Sequence, residues 1–148
     1  MGHFDKSIVG RDGWLMQLGT LAGNPIAAAA GLKTMEVLKR EGSYERLRNI
    51  GRTLQDMQER ALDVAGISHQ ICGDETLFDI FFTTRQCRDY RSAEHDDLER
   101  NATYNATLRQ HGIFKSPGKL YPSLAITPND LDHTKAAVEH AVRSISEL

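Results

Sequence analysis

Apolar side chains recur every three or four residues through Leu47, Ile50, Leu54, Met57, Ala61 and Val64, the spacing of one helical face. Ser43 ahead of this run can cap it and Gly66 can end it, so an amphipathic helix is predicted between them. The stretch 25–40 also favours helix, but Ile26, Ala29, Ala30, Leu32, Met35, Val37 and Leu38 cover much of its circumference. Such breadth predicts burial on more than one side. After Gly66 the pattern changes to β-formers. The runs 67–72 and 77–83 are predicted as an antiparallel pair about Gly73-Asp74-Glu75-Thr76. A further helix is predicted from Ala93 or Glu94 to His111, with Gly112 as its stop, then a short strand at Ile113 and Phe114. The run 120–126 predicts another strand, in which Pro122 must face away from a ladder partner. Thr127-Pro128-Asn129-Asp130 supplies an N-cap, a proline at the first helical position and an acid at the third, opening a last helix. This order describes an α+β fold: a small antiparallel sheet of about three strands with helices packed on one face.

The first 18 residues fit no long element, because Gly10 and Gly13 interrupt them, yet Phe4, Ile8, Val9, Trp14, Leu15, Met16 and Leu18 require cover. With 148 residues and 40% hydrophobic content the chain can build one domain with a core. The 18 basic and 20 acidic residues nearly cancel, which removes the electrostatic case for nucleic acid or an anionic membrane as partner. No apolar run approaches the ~20 residues of a membrane span and no leader pattern opens the sequence, so a soluble, cytoplasmic protein is expected. Cys72 and Cys87 lack CxxC spacing and are read as two reduced structural thiols; the six histidines are dispersed, and no metal site is expected. Ser116-Pro117-Gly118-Lys119 lacks phosphate-loop spacing and is read as a surface turn. Asp79 interrupts an apolar strand, so it needs either a partner, with Arg85 and Arg88 nearest in sequence, or a place at the sheet edge.

The segment that carries chemistry is Gly19-Thr20-Leu21-Ala22-Gly23-Asn24-Pro25, leading into Ile26-Ala27-Ala28-Ala29-Ala30-Gly31. Asn24 can cap the free amides of the first helical turn, and Pro25 suits a position that needs no N–H. A hydroxyl and bare backbone amides just ahead of a helix start suit an anion. On local chemistry alone an ordinary turn packing against the rest of the domain is the favoured reading, since Gly-Thr is common in loops. The string resembles the G-T-[FL]-[SA]-G-N-P segment of class III pyridoxal-phosphate aminotransferases, in particular their glutamate-1-semialdehyde aminomutase branch. The resemblance runs along the whole chain but covers only the last part of that family's fold.

It implies that 25–148 is the C-terminal small domain of a fold-type I pyridoxal-phosphate enzyme, opening with an interface helix, and that 1–24 is a remnant of the large-domain and dimer-interface region. It implies a cofactor-binding role for Gly19 and Thr20: the hydroxyl and N–H of Thr20 would hold the pyridoxal phosphate of the opposite subunit, with Gly19 leaving room. The implied partners are a second copy of the chain or the missing large domain, and the implied substrate is a small amino acid or amino-ketone. The family's Schiff-base lysine lies a few tens of residues before the Gly-Thr pair. Only 19 residues precede Thr20 here, and Lys6, in His3-Phe4-Asp5-Lys6-Ser7, is followed by no glycine-rich turn. No catalytic residue is therefore assigned, and the isolated chain is expected to be inactive. Lys119 to Ala125 contains no arginine to grip an α-carboxylate, which turns the reading away from ω-amino-acid or ornithine types and towards the aminomutase branch. The rival reading is a non-catalytic interaction or dimerisation domain derived from such an enzyme.

Overall fold

A computed structural model describes residues 3, 6–10, 13, 19, 21–146 and 148. The elements run α1 (Lys6–Val9), α2 (Pro25–Leu38), α3 (Ser43–Val64), β1 (Gln70–Asp74), β2 (Leu77–Phe81), α4 (Tyr90–Ala93), α5 (Leu98–Gln110) and α6 (Pro128–Ser146). They fall into two units, Met1–Arg40 and Glu41–Leu148.

In the first unit α2 forms where its start signals place it. Asn24 caps it and Pro25 stands at its first position. The burial predicted for it is not met, since no residue of α2 is buried and Ile26 is 81% exposed. A helix whose terminal amides are capped and whose interior is rich in alanine holds its own backbone bonds without a packed face.

In the second unit the amphipathic run becomes α3, with Ile50, Leu54, Gln58 and Leu62 buried. Its cap is Gly42 and not Ser43, which lies one residue inside. The capping residue has φ 76°, a conformation that glycine reaches without steric cost. Gly66, with φ 67°, ends the helix, and Ile67 N–H returns to the Leu62 carbonyl at 3.0 Å.

β1 and β2 form the expected antiparallel pair, with Gln70 opposite Phe81, Cys72 opposite Asp79 and Asp74 opposite Leu77. Alternation then sorts the side chains by face. Phe78, Ile80 and Phe82 enter the two hydrophobic clusters, which draw on α3, α5 and α6. The hairpin turn is fixed from two directions. Asp74 accepts bonds from Thr76 N–H and Oγ1, and Arg48 of α3 donates to Asp74 and Glu75, both at 2.7 Å.

The third strand reduces to a single bridge between Phe78 and Leu120, made by Leu120 N–H to Phe78 O at 2.7 Å and its return at 3.3 Å. Pro122 has no N–H with which to extend this pairing, and the chain then turns at Ser123, whose carbonyl accepts Ile126 N–H. Ile113 and Phe114 are also not a strand; Ile113 N–H closes the end of α5 on the Leu108 carbonyl. The helix expected from 93 or 94 to 111 is split. α4 is closed by a capping box between Asp89 and Ser92, and α5 starts afresh from the Asp97 cap. Between them Asp96 is drawn back to accept Phe82 N–H at 2.7 Å, which breaks helical continuity.

α6 opens as its signature requires: Thr127 N–H and Oγ1 both donate to Asp130, and Asp130 N–H returns to Thr127 Oγ1. It places Ala137, Val138, Ala141, Val142 and Ile145 in the main cluster. Tyr104 is the largest side chain there, and its hydroxyl donates to Gln58 Oε1 at 3.2 Å while Gln58 Nε2 donates to the Leu54 carbonyl. Each buried polar group so placed has a partner.

At Gly51 α3 passes so near the hairpin turn that a Cβ would lie 1.8 Å from the Glu75 carbonyl oxygen, whereas a Cβ at Gly31 meets nothing. Gly51→Ala is therefore expected to lower stability by about 3 kcal/mol, the upper range for overpacking against backbone. Gly31→Ala, in a helix interior, should raise helix stability by roughly 0.5–1 kcal/mol. Urea unfolding of the two variants followed by circular dichroism measures both, and equal effects would contradict the close approach.

Candidate functional site

The segment ahead of α2 is a pair of tight turns. Ala22 N–H donates to the Gly19 carbonyl and Asn24 N–H to the Leu21 carbonyl, both at 3.0 Å. Gly19 has φ 157° and Gly23 φ 79°, conformations that L side chains rarely adopt. The residue assigned the central role, Thr20, lies outside the described residues, while Gly19 is described and exposed.

Asn24 Oδ1 accepts from Ile26 N–H at 2.9 Å and Ala27 N–H at 3.2 Å. The helix start thus keeps its first amides for its own cap and offers an incoming anion only its dipole. Among the described residues, the amides of Leu21 and Gly23, like that of Gly19, make no hydrogen bond. All three residues are exposed. A turn with unpaired amides and two glycines suits close approach of an anionic group such as a phosphate, and the residues present fit one at that level.

A second group of polar side chains lies on the face of β2 that carries Asp79. Lys115 Nζ stands 3.1 Å from Asp79 Oδ1, and the two side chains are only 8% and 10% exposed. Asp79 thus finds its partner in Lys115, neither in Arg85 nor in Arg88. Arg85 instead meets His95 Nε2 at 2.7 Å. Burial pushes the Asp79 carboxyl above its ordinary range, and the ammonium of Lys115 opposes that shift. Asp96 is pushed the same way by burial, opposed by Phe82 N–H and by Asn101 Nδ2 at 2.9 Å. With Asn101, Asn105 and the Pro117-Gly118 turn, these acids line a cleft of about 570 Å³. Ser116 to Lys119 is the surface turn expected, closed by a bridge between its ends.

Among the described residues no group of histidine, cysteine or acid side chains could hold a metal. Of the dispersed histidines, His111 and His140 stack at 4.2 Å. No helix among the described residues is long and apolar enough to cross a membrane. Asp130 is the acid at the third position of the α6 start, as expected, its carboxyl held below the ordinary range by Thr127 N–H and Oγ1. The two cysteines, read separately from the sequence, are brought together: Cys72 Sγ donates to the Cys87 carbonyl at 3.9 Å.

The fold of helices on a small antiparallel sheet is that of the C-terminal domain of pyridoxal-phosphate transaminases. An omega-transaminase from Sphaerobacter thermophilus superposes with a TM-score of 0.73 at 27% identity, covering 88% of this chain and 30% of that one. The FumI protein of Sphingopyxis sp. MTA144, in its pyridoxal-phosphate form, shares the fold with a TM-score of 0.68 at 19% identity, again over 88% of this chain and 30% of its own. In sequence, the chain is similar to the glutamate-1-semialdehyde 2,1-aminomutase of Desulfosudis oleivorans, 35% identical over 93% of this chain, and to that of Methanopyrus kandleri, 34% identical over 92%. The chain spans about a third of the length of these relatives, 32% in each case, and corresponds to their C-terminal part. No protein-family model matches it.

The buried pair gives a test with a defined sign. Lys115→Met leaves the Asp79 carboxylate buried without its cation, and should cost about 3–5 kcal/mol at neutral pH. An acid whose folded pKa stands above its unfolded value is stabilising while protonated, and that contribution is lost as pH rises through the folded pKa. Loss of the lysine raises the folded pKa further. The penalty should therefore shrink as pH falls below neutrality, and denaturant unfolding of variant and parent between neutral and mildly acidic pH measures it. A penalty constant over that range would show that the pair is not ionised.

Proposed function

We propose that this chain is the C-terminal part of a class III pyridoxal-phosphate aminotransferase of the glutamate-1-semialdehyde aminomutase kind, acting on a small amino acid or amino-ketone. The observation that carries the reading is the extent of the sequence similarity, nearly the whole chain at about a third identity. The coincidence of that similarity with a glycine-bearing turn whose Leu21 and Gly23 amides are unpaired among the described residues adds to it.

Pyridoxal phosphate, when bound, supplies an electron-withdrawing ring that stabilises negative charge on the carbon bearing the amino group. The part assigned to this chain is to hold and orient. Thr20 donates its hydroxyl and N–H to the phosphate across a subunit boundary, and Gly19 permits the close approach. Asn24 fixes the turn by tying it to the first turn of α2. Residues 1–24 belong to the large-domain and dimer-interface region and 25–148 to the small domain, a division by family equivalence that differs in kind from the compact units. The lysine that engages the cofactor is assigned to a part of the protein outside this sequence. Association with that part or with a second copy, and a cytoplasmic setting, belong to the same proposal; free Cys72 and Cys87 suit a reducing compartment.

A second reading, an interaction domain without catalysis, is favoured by the exposure of α2, where Leu32 is 69% and Met35 50% exposed. The two readings differ in what the turn does. Mixed with pyridoxal phosphate and reduced with borohydride, the chain alone is expected to yield no stoichiometric adduct at one lysine and no turnover of an amino donor. An adduct with turnover would overturn the assignment of the lysine to another part.

The phosphate role is tested in a protein that joins this chain to an aminomutase large domain. Thr20→Val keeps the shape and removes one charge-assisted hydrogen bond, worth roughly 1.5–3 kcal/mol, so cofactor affinity should fall about tenfold to hundredfold. Ala22→Ser, two residues on, is the control and should leave affinity unchanged. Unchanged affinity in the valine variant with a loss in the control would favour the interaction-domain reading.

A further inference from the structure

We propose that Cys72 and Cys87 form a reversible intramolecular disulfide when the protein meets a peroxide, so that they act as a redox-responsive staple between β1 and the segment leading into α4. They are the chain's only two cysteines, separated by fourteen residues, and the fold rather than the sequence spacing joins them. Cys72 sits on β1 opposite Asp79, on the face that stays outside the hydrophobic clusters, which its neighbour Ile71 packs against. Cys87 lies in the irregular stretch between β2 and α4. Its backbone N–H makes no hydrogen bond among the described residues. The Cys72 thiol reaches the Cys87 carbonyl at 3.9 Å, and the Cys87 thiol is near enough to bear on its ionisation. Both side chains are partly exposed, so a small oxidant can enter. No ladder bond has to break for Cys87 to turn towards β1. What it gives up are weak S–H contacts to the Arg85 and Ser92 carbonyls, each at 3.9 Å.

The two thiols are not equivalent. Burial, with the nearby Cys87 and Asp79, pushes the Cys72 thiol up and keeps it protonated. Attack on the peroxide is assigned to Cys87, whose sulfur lies in the irregular stretch ahead of α4, while that of Cys72 is held on the strand. Its sulfur takes one peroxide oxygen to become a sulfenic acid, and the second oxygen leaves as water after taking a proton. The Cys72 sulfur then attacks the Cys87 sulfur and the S–S bond forms. The departing hydroxide takes the Cys72 proton and leaves as a second water. In sum two thiols lose two electrons and two protons, and one peroxide is reduced to two waters. A small dithiol reverses the change.

The test uses the full chain treated with hydrogen peroxide, blocked with iodoacetamide, and mapped without reduction. Trypsin places Cys72 in the peptide 61–85 and Cys87 in 86–88. The expected product is a monomer lighter by two hydrogens with these peptides joined, formed at a rate independent of protein dilution and reversed by dithiothreitol. In Cys72→Ala a 1,3-dione probe should trap sulfenic acid at Cys87, on the order of tenfold more than it traps at Cys72 in Cys87→Ala. Linkage only between molecules, or two free thiols after oxidation of the parent protein, would overturn the proposal without any variant having to fold. Equal trapping in the two variants would overturn the assigned order of attack.

Discussion

The packing of α6 against α3 and α5 is the contact on which the rest of the second unit depends. Two alanines make it possible: Ala137 is 2% and Ala141 0% exposed, and their small side chains let the helix approach while Val138, Val142 and Ile145 fill the space around them. Interiors packed to crystal-like density tolerate little change of volume at such a seam. Through it, α3 and α5 both meet α6, and β2 finds a surface for Phe78, Ile80 and Phe82. A two-stranded hairpin has marginal stability by itself. Here it is a layer of a core.

The same burial makes the opposite face of β2 chemically distinctive. A strand held so firmly on one side sends every second residue to the other, and that side carries Asp79 with Lys115 and, one strand over, Cys72. Charge at Asp79 then bears on its neighbours: it helps hold the Cys72 thiol protonated and pushes the Tyr104 hydroxyl upward, although burial is the larger cause for each. The turn ahead of α2 stands in contrast. It shows unpaired amides and no ion pair of its own among the described residues.

Local rules made much of this legible in the sequence. The 3.6-residue period located α3, the Asn24-Pro25 and Thr127-Pro128-Asp130 signals located two helix starts, and a glycine-bounded run of β-formers located the hairpin. Each is settled by side chains within a few positions of one another. The third strand did not form, because Pro122 and the Ser123 turn prevail over the β-propensity of their neighbours. The Asp97 cap was also missed, since helical periodicity carries on across it. The pairs Asp79 with Lys115 and Cys72 with Cys87 depend on register and on packing after the chain has folded. For Asp79 the sequence signal was present only as a demand for a partner, and the nearest arginines were the wrong answer. Of the turn residues, Gly19 has a positive φ, but the roles given to Gly19 and Thr20 both rest on resemblance.

The separation of Asp79 and Lys115 along the chain, 36 positions, also bears on time. Both groups become desolvated only after α5 has been threaded between them in sequence and the 112–120 segment has come back to Phe78. A contact that needs so much prior closure belongs to the late side of the folding barrier. It therefore acts as a latch: it adds little to the speed with which the native state is reached and prolongs the time for which it is kept.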